Sequence, residues 1–188
     1  VVTGKQAFSY AVAGRSPATV RKAILLAKNE YNLTYCDPDV LYADLQEDHS
    51  VHHLVVSCDV VLNLAGPFMK TGGKILAEAC IKYSTDYVDV NGEIPYTYSL
   101  LSLHKAATLK GVCVVPNCAG AGALSDLLVW WTSKQASLRG TAVRRIITYV
   151  TGSSHIPSGG TLAAREAMRD ASPDLAKVMS DPFALNHT

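Results

Sequence analysis

The sequence predicts an α/β protein in which a parallel sheet is covered by helices. Short β-branched apolar runs alternate with helical patterns five times before Trp131. The stretch 57–93 contains a complete strand, glycine-proline turn, helix and second strand. A right-handed crossover makes two such strands parallel and brings the turns that follow them to one edge, where open α/β sheets bind ligands. We therefore expect an enzyme-type ligand site at that edge.

Composition and charge exclude several other classes of protein. The 188 residues are 48% hydrophobic and 18% charged, which provides enough apolar surface for a folded core. The net charge is +1 and the longest basic run is Arg144–Arg145, so we expect no nucleic acid as a partner. No apolar run reaches the length that a bilayer requires, and membrane or lipid association stays open.

Cysteine and histidine spacing predicts neither disulfides nor a metal site. The number of cysteines is odd and they are widely spaced, which favours packing thiols in the cytoplasm or another reducing intracellular compartment. His49 and His53 share a helical face, but without the HExxH pattern of zinc sites. The cysteines are Cys36, Cys58, Cys80, Cys113 and Cys118.

The first part of the chain predicts two strands, each followed by a helix. Residues 8–13 form a strand that stops at Gly14. Ser16 is a good N-cap and Pro17 a good first helical residue, so a helix should run to about Lys28. The next strand and helix are predicted over 40–45 and 48–57, with Val51, Leu54, Val55 and Cys58 facing inward.

The central stretch predicts two further strands. Residues 59–64 are a β-branched apolar run, typical of a strand that is buried on both faces. A glycine-proline turn over 65–67 ends this strand, a helix follows over 72–83, and the second strand covers 86–90. The helix is expected to bury Ile75, Leu76, Ala79 and Cys80.

The rest of the chain predicts one more strand of this sheet and the start of a second domain. Gly111 ends a helix in the manner of a C-cap. Because the β-branched run 141–151 is predicted to begin a different sheet, we expect one domain over 1–136 and the start of an α+β domain over 137–188. The predicted elements are helices over 95–110, 123–134, 161–170 and 173–179 and strands over 112–115 and 141–151.

Gly14, Arg15 and Ser16 follow the first predicted strand, where a dinucleotide-binding sheet selects its cofactor. A carboxylate at this place binds the ribose hydroxyls of NAD, whereas an arginine accommodates the 2′-phosphate of NADP. The planar fork of Arg15 matches a phosphate. The alternative is an exposed arginine beside an ordinary N-cap.

Two further strand ends carry candidate cofactor contacts. Asp44 ends the next strand, where such sheets often contact the adenine amino group; the alternative is that it caps the following helix. Ala65, Gly66 and Pro67 end the strand 59–64 at the ligand edge, where their free backbone groups would line a cofactor. A tight turn is the alternative for these three residues.

Tyr87, Asp89, Asn91 and Glu93 form a polar run at the end of the strand 86–90. Strand alternation places Tyr87, Asp89 and Asn91 on one face. Such a group can hold a nicotinamide ring or a substrate amine. A structural role in closing the turn is the alternative.

In order and spacing, the motifs resemble those of the saccharopine dehydrogenase-like oxidoreductases, the family that also includes the trans-acting enoyl reductases. The agreement extends over nearly all of the chain. The matching segments are AVAGRS (11–16), VVLNLAGPF (60–68), DYVDVNGE (86–93), PNCAGAGALSDLLV (116–129), SGGTLA (158–163) and DPFALN (181–186).

The resemblance implies a Rossmann-type, doubly wound domain that binds NAD(P), followed by an α+β domain for substrate binding and dimerisation. Residues 14–16 would meet the adenosine phosphate, and Asp44 would lie near the adenine. Residues 65–67 would lie near the pyrophosphate and nicotinamide ribose, and Glu93 near the nicotinamide. Residues 158–160 would face the cleft from the second domain.

One departure from the family concerns the start of the chain. Family members begin with a strand and a GATGFTG-type turn that cradles the pyrophosphate, and no such turn is present here. In the strand order 3-2-1-4-5-6 that first strand is central. We therefore expect the sequence to be a fragment, with a gap between strands two and four.

These expectations lead to two hypotheses of function. The first is an oxidoreductase that passes a hydride to or from an enoyl, imine or keto substrate. Its expected cofactor is NADP, with NAD as the alternative, and it is expected to form a homodimer. Tyr87 and Glu93 are its candidates for a catalytic acid or base. The second is a non-catalytic dinucleotide-binding or scaffold protein that dimerises through its second domain, which the shortage of catalytic groups favours.

Overall fold

Two parallel sheets organise the chain in the computed structural model, which describes residues 9–33, 37–119, 122–149, 159–170, 172–181 and 183–185. The chain divides into two compact units, residues 1–58 and 59–188, and each unit contains one sheet. The sheet of the first unit has two strands and that of the second has three. Parallel strands that alternate with helices confirm the predicted α/β class.

The first unit follows the predicted element order. Strand β1 pairs in parallel with β2, and Gly14 lies opposite Tyr42. Helix α1 begins where the sequence predicts, because the Ser16 side chain accepts a hydrogen bond from the amide of Thr19 and Pro17 is the first helical residue. Its elements are β1 (Ala11–Gly14), α1 (Pro17–Tyr31), β2 (Asp39–Tyr42) and α2 (Asp48–Val56).

The second unit is built on the parallel sheet β3-β4-β5. Helix α4 lies between β3 and β4 along the chain, which is the predicted crossover. A 3₁₀ turn over Leu101–Leu103 joins α5 to α6, where the sequence predicts one continuous helix. The elements are β3 (Val60–Asn63), α3 (Phe68–Thr71), α4 (Gly73–Tyr83), β4 (Asp86–Asp89), α5 (Ile94–Leu100), α6 (His104–Lys110), β5 (Val114–Val115), α7 (Ala123–Leu138), α8 (Gly159–Arg169) and α9 (Pro173–Ser180).

Strand order within each sheet agrees with the order predicted from the sequence. In the 3-2-1-4-5-6 scheme, β1 and β2 correspond to strands two and three, and β3, β4 and β5 to strands four to six. Among the described residues, the β1-β2 sheet and the β3-β4-β5 sheet share no strand. The predicted domains 1–136 and 137–188 stay a prediction.

The core of the second unit lies between α4, α6 and the sheet. Leu76, Ala77 and Cys80 of α4 are buried, and Ile81 packs in a cluster with Ala107 and Val112. In the first unit, Val51 and Val55 of α2 are buried, as the sequence predicts. The buried region continues to the carboxyl edge of the β3-β4-β5 sheet, where it contains the polar side chains of Asp89, Asn91 and Glu93.

Several predicted details are wrong. Residues 141–149 form no strand, because a β-branched run becomes a strand only where a neighbouring strand pairs with it, and none of the described residues does so. Strand β3 is buried on one face only, since alternation leaves Val60 and Leu62 about half exposed. The buried face of α4 includes Ala77 and Ile81, whereas Ile75 is exposed. Cys58, predicted to face inward, is exposed.

The described helices were compared with the length of a membrane span, and the described cysteines with the prediction of no disulfide. Within the described part of the chain, no helix combines the length and the apolar character needed to cross a bilayer. The described cysteines form no disulfide. Outside the described residues lie the predicted features at Phe8, Cys36, Thr151 and Ser158.

Candidate functional site

The carboxyl ends of β3, β4 and β5 are linked by three side chains at alternate positions of one segment. Asp89, Asn91 and Glu93 are all buried, at 0%, 3% and 3% exposure. Alternate residues of an extended segment point to the same side. The prediction that Tyr87, Asp89 and Asn91 share a face is confirmed, because they hydrogen-bond to one another.

The Asp89 carboxylate connects the end of β4 to the turn after β5. Its Oδ1 accepts hydrogen bonds from the backbone amides of Asn91 and Asn117, both at 3.0 Å, and from Nδ2 of Asn91 at 2.6 Å. The Asp89 carbonyl also accepts from the amide of Cys118 at 2.8 Å. A buried carboxylate is tolerated when several donors replace its water shell, and Asp89 meets that requirement.

Asn91 forms the next link. Its Oδ1 accepts from the backbone amide of Glu93 at 2.9 Å and from the hydroxyl of Thr97 at 3.1 Å. Its own amide and side chain are held by Asp89. The backbone from Asp89 to Glu93 is therefore fixed by side chains of the same segment, an arrangement typical of Asx turns.

The Glu93 carboxylate connects the end of β4 to the turn after β3. Oε1 accepts from the backbone amide of Phe68 at 2.8 Å and Oε2 from the amide of Met69 at 2.9 Å. These amides open the short helix α3, and first-turn amides have no partner within their own helix. Glu93 thus supplies both missing acceptors, and its charge suits that end of a helix.

A second group of hydrogen bonds surrounds the hydroxyl of Tyr87, whose residue is fully buried. It donates to Oδ2 of Asp89 at 3.0 Å and accepts from Nδ2 of Asn63 at 3.0 Å. The hydroxyl of Tyr96 lies 2.7 Å away. Burial, above all, raises the pKa of both the Tyr87 and the Tyr96 hydroxyl well above the ordinary value of 10.0.

The turn over residues 65–67 is a closed turn. The amide of Ala65 donates to Oδ1 of Asn63 at 3.0 Å, and the amide of Gly66 donates to the carbonyl of Leu64 at 3.1 Å. These two amides are therefore not the free donors that the sequence interpretation expects. A Cβ on Gly66 would lie 3.1 Å from the Phe68 ring, so close packing within the turn explains the glycine. The Gly66–Pro67 peptide bond is cis.

Arg15 lies directly after β1 and is exposed. No described residue forms an ion pair with it. Next to it, the Ser16 hydroxyl accepts from the Thr19 amide at 3.3 Å and lies 3.0 Å from the Thr19 hydroxyl. The Gly14 carbonyl accepts from the amide of Ala43 and so extends the β1-β2 ladder.

Asp44 closes a turn after β2. Its Oδ1 accepts from the amide of Gln46 at 3.0 Å, while its backbone amide and carbonyl both bond to the hydroxyl of Ser50. The N-cap position of α2 is Glu47, so the alternative in which Asp44 caps that helix is wrong. The carboxylate is half-buried and belongs to the first unit.

The structure therefore distributes the predicted site residues over two units. Asn63 and Tyr96 bond to the Tyr87 hydroxyl and Asn117 bonds to Asp89, although the sequence interpretation selected none of the three. Only Asn63 carried a signal, because it is the polar residue at an inward position of the β3 strand. The first unit contains Gly14, Arg15, Ser16 and Asp44; the second contains Ala65, Gly66, Pro67, Tyr87 and Glu93. Within the described residues no group of histidine, cysteine and acidic side chains can hold a metal ion.

Known proteins are similar to nearly the whole chain. It is 30% identical over 181 residues to a protein of Mycobacterium ulcerans (strain Agy99) called trans-acting enoyl reductase. The aligned region covers 93% of this chain and 42% of that protein. A protein of the same name from Mycobacterium leprae (strain TN) is 29% identical over 192 residues, with the same coverage. The chain thus spans 42% of the length of these relatives. No family model matches the chain.

Two further comparisons extend this result. A Caenorhabditis elegans protein called lipid droplet localized protein is 25% identical over 150 residues, which is 79% of this chain and 35% of that protein. Saccharopine dehydrogenase (L-Glu forming) of Saccharomyces cerevisiae superposes with a TM-score of 0.56 over 72% of this chain and 27% of that one, at 20% identity. That likeness shows a Rossmann-type α/β fold.

The order of motifs, the sequence identity to the mycobacterial proteins and the fold therefore agree. The chain is thus similar in sequence to trans-acting enoyl reductases over 93% of its length, and it shares the fold of saccharopine dehydrogenase.

Proposed function

We propose that this chain is the nucleotide-binding part of an NADP-preferring oxidoreductase that acts on an enoyl, imine or keto substrate. One observation carries the preference for NADP. Arg15 is an exposed guanidinium directly after a parallel strand, and none of the described residues pairs with it. In dinucleotide-binding sheets an arginine at this place accommodates the 2′-phosphate.

The residues around Arg15 fit such a phosphate. Helix α1 begins at Pro17, and its first turn contains no acidic residue that would repel an anion. The guanidinium presents several donors in a plane that matches phosphate oxygens. NADP, when bound, supplies or accepts the hydride, and the protein contributes binding and orientation.

The remaining predicted contacts are part of the same proposal. Gly14 and Ser16 would bind with Arg15, and Asp44 would lie near the adenine. The turn formed by residues 65–67 would lie along the pyrophosphate and nicotinamide ribose, and Glu93 would lie near the nicotinamide. This proposal extends the family resemblance, residue by residue, to positions at the ends of β1, β2, β3 and β4.

Titration of the natural-length protein with NADPH and NADH, followed by nucleotide fluorescence, tests the proposal. We expect NADPH to bind more tightly than NADH. Arg15→Ala should weaken NADPH binding about 10- to 100-fold, because hydrogen bonds to charged groups contribute about 1.5–3 kcal/mol. NADH binding should change little, since NADH lacks the 2′-phosphate.

The matched control is Arg21→Ala, which removes an exposed arginine of α1, the helix that follows Arg15. It should leave both affinities unchanged. If the folded protein binds neither nucleotide, the proposal of an oxidoreductase is wrong. If NADPH binds but Arg15→Ala and Arg21→Ala weaken it equally, Arg15 is not the residue that selects the phosphate.

A second candidate function is a non-catalytic dinucleotide-binding or scaffold protein. The observation that favours it is the state of the two catalytic candidates. The Tyr87 hydroxyl and the Glu93 carboxylate are buried and hydrogen-bonded to groups of the protein. Turnover of NADPH with any enoyl, imine or keto acceptor would exclude this candidate.

The proposed partners follow from the second domain. We propose that the protein takes a small-molecule substrate and forms a homodimer through that domain, as the resemblance implies, in a reducing compartment. The odd number and wide spacing of the cysteines in the sequence favour such a compartment. Sedimentation of the natural-length protein at the mass of a monomer would contradict the dimer.

A further inference from the structure

We propose that Glu93 is a positioning residue: its carboxylate holds the 65–69 turn in the shape that binds the nucleotide. This inference rests on the proposed function, and it replaces the role of Glu93 as an acid or base. It is carried by the two hydrogen bonds from Glu93 to successive backbone amides, those of Phe68 at 2.8 Å and Met69 at 2.9 Å.

The geometry of these bonds suits a carboxylate. Two N–H donors face the side chain, and each is bonded to a different oxygen of the carboxylate. A glutamine in the same place would accept one bond and turn its own NH₂ group toward the second amide. Because the side chain is 3% exposed, water does not replace the lost acceptor without a rearrangement.

The carboxylate is itself held in place from its own backbone. The amide of Glu93 donates to Oδ1 of Asn91, and Asn91 is held by two bonds to Oδ1 of Asp89. Asp89 also accepts from the amide of Asn117 after β5. Glu93 is thus the last member of a rigid connection that joins the turns after β3, β4 and β5.

The turn that Glu93 holds lies at the ligand edge of the sheet. Ala65 and Gly66 are exposed there, whereas Phe68, at the other end of the turn, is buried and packs on Tyr96 with a distance of 5.4 Å between ring centroids. Loss of the Glu93 bonds frees the amides of Phe68 and Met69 and loosens the exposed part of the turn. The nucleotide would then have to order the turn when it binds, which lowers its affinity.

Amide hydrogen exchange on the natural-length protein tests the holding role directly. Phe68 and Met69 open α3, so without Glu93 their amides would have no partner and would exchange quickly. We expect both to be protected in the unchanged protein, and the amide that faces the glutamine NH₂ group in Glu93→Gln to lose at least about tenfold of that protection. Glu78→Gln, the same substitution at an exposed position of α4, is the matched control and should change neither amide.

Nucleotide binding tests the link to function. In Glu93→Gln that is still folded by circular dichroism, NADPH should bind about 10- to 100-fold more weakly than it binds the unchanged protein. A role confined to overall stability would lower the melting temperature without changing the affinity of the folded variant. Glu78→Gln should bind NADPH as the unchanged protein does.

Each result bears on one part of the inference. Fast exchange of the Phe68 and Met69 amides in the unchanged protein overturns the holding role. This measurement does not depend on whether any variant folds. An unchanged NADPH affinity in folded Glu93→Gln overturns the link to the nucleotide. If the unchanged protein binds neither NADPH nor NADH, the proposed function and that link both fail, while amide exchange still decides on the holding role.

Discussion

The hydroxyl oxygens of Tyr87 and Tyr96 lie 2.7 Å apart in the interior of the second unit. The Asp89 carboxylate can only accept, so the Tyr87 hydroxyl donates to it, and the hydrogen between the two tyrosines comes from Tyr96. Tyr87 is therefore the centre of the group, since its hydroxyl serves three partners: Asn63, Asp89 and Tyr96.

This asymmetry predicts unequal costs for removing the two hydroxyls. Tyr87→Phe leaves Nδ2 of Asn63 and Oδ2 of Asp89 without their buried partner, which should lower the free energy of unfolding by about 1–3 kcal/mol. Tyr96→Phe removes one donor from a hydroxyl that keeps two other partners, and should cost about 0.5–1.5 kcal/mol. Urea unfolding curves of the two variants measure the difference. A larger cost for Tyr96→Phe would contradict the assignment of Tyr87 as the centre.

The same pair predicts a loss of stability at alkaline pH. Burial raises the pKa of both hydroxyls above 10.0 in the folded protein, whereas tyrosines of the unfolded chain ionise near that value. Above pH 10 the unfolded chain therefore releases protons that the folded protein retains, and each retained proton costs about 1.4 kcal/mol per pH unit. This stabilisation is complete below pH 10 and is lost as the pH rises towards the folded-state pKa values.

Urea midpoints between pH 8 and 11 measure this dependence. Tyr87→Phe should make the decline above pH 10 shallower, because one of the two retained protons is gone. An unchanged slope in Tyr87→Phe would show that the hydroxyl ionises equally in both states.

A third prediction concerns the close approach of α1 to the end of β1. A Cβ on Gly14 would lie 3.0 Å from Cγ2 of Val20, and valine has little freedom to turn away. Gly14→Ala should therefore cost about 1–3 kcal/mol through overpacking. In a Val20→Ala background the contact is absent and the cost should fall. Equal costs in the two backgrounds, measured as a double-mutant cycle, would rule out this contact as the cause.

A fourth prediction compares two glycines near the Asp89 group. A Cβ on Gly122 would lie 2.9 Å from the backbone carbonyl of Asn117, whose amide is bonded to Asp89. Gly122→Ala should lower stability by about 1–3 kcal/mol, since a backbone carbonyl cannot turn aside as a flexible side chain can. Gly92→Ala is the control, because no heavy atom lies within 4 Å of its Cβ position and its φ is not left-handed. It should be neutral or stabilise by about 0.4–1 kcal/mol.

Local signals account for what the sequence predicted correctly. Ser16 and Pro17 fix the start of α1 because a cap and a proline ring act within one turn of helix. Alternation along β4 predicted that Tyr87, Asp89 and Asn91 lie together, and the strand obeys that period of two. Both inferences need only a few consecutive residues.

Contacts between distant segments were not predictable in the same way. Phe68 and Glu93 are 25 residues apart, and Asn117 is 28 residues from Asp89. Only the parallel pairing of β3, β4 and β5 brings their turns to one edge. The prediction of a strand over 141–149 was wrong for a related reason, because β-branched residues fit a pleated surface only when a partner strand exists. Local propensity does not show whether that partner is there.

Helix α7 has a consequence for spectroscopy. Both tryptophans of the sequence, Trp130 and Trp131, lie on this helix, and each is 54% exposed. Their rings lie 6.3 Å apart, and Nζ of Lys134 lies 4.7 Å from the Trp130 ring. Selective excitation of tryptophan in this chain therefore reports on the surroundings of one helix. An observer who wants to follow the interior around Asp89 must record a tyrosine signal instead.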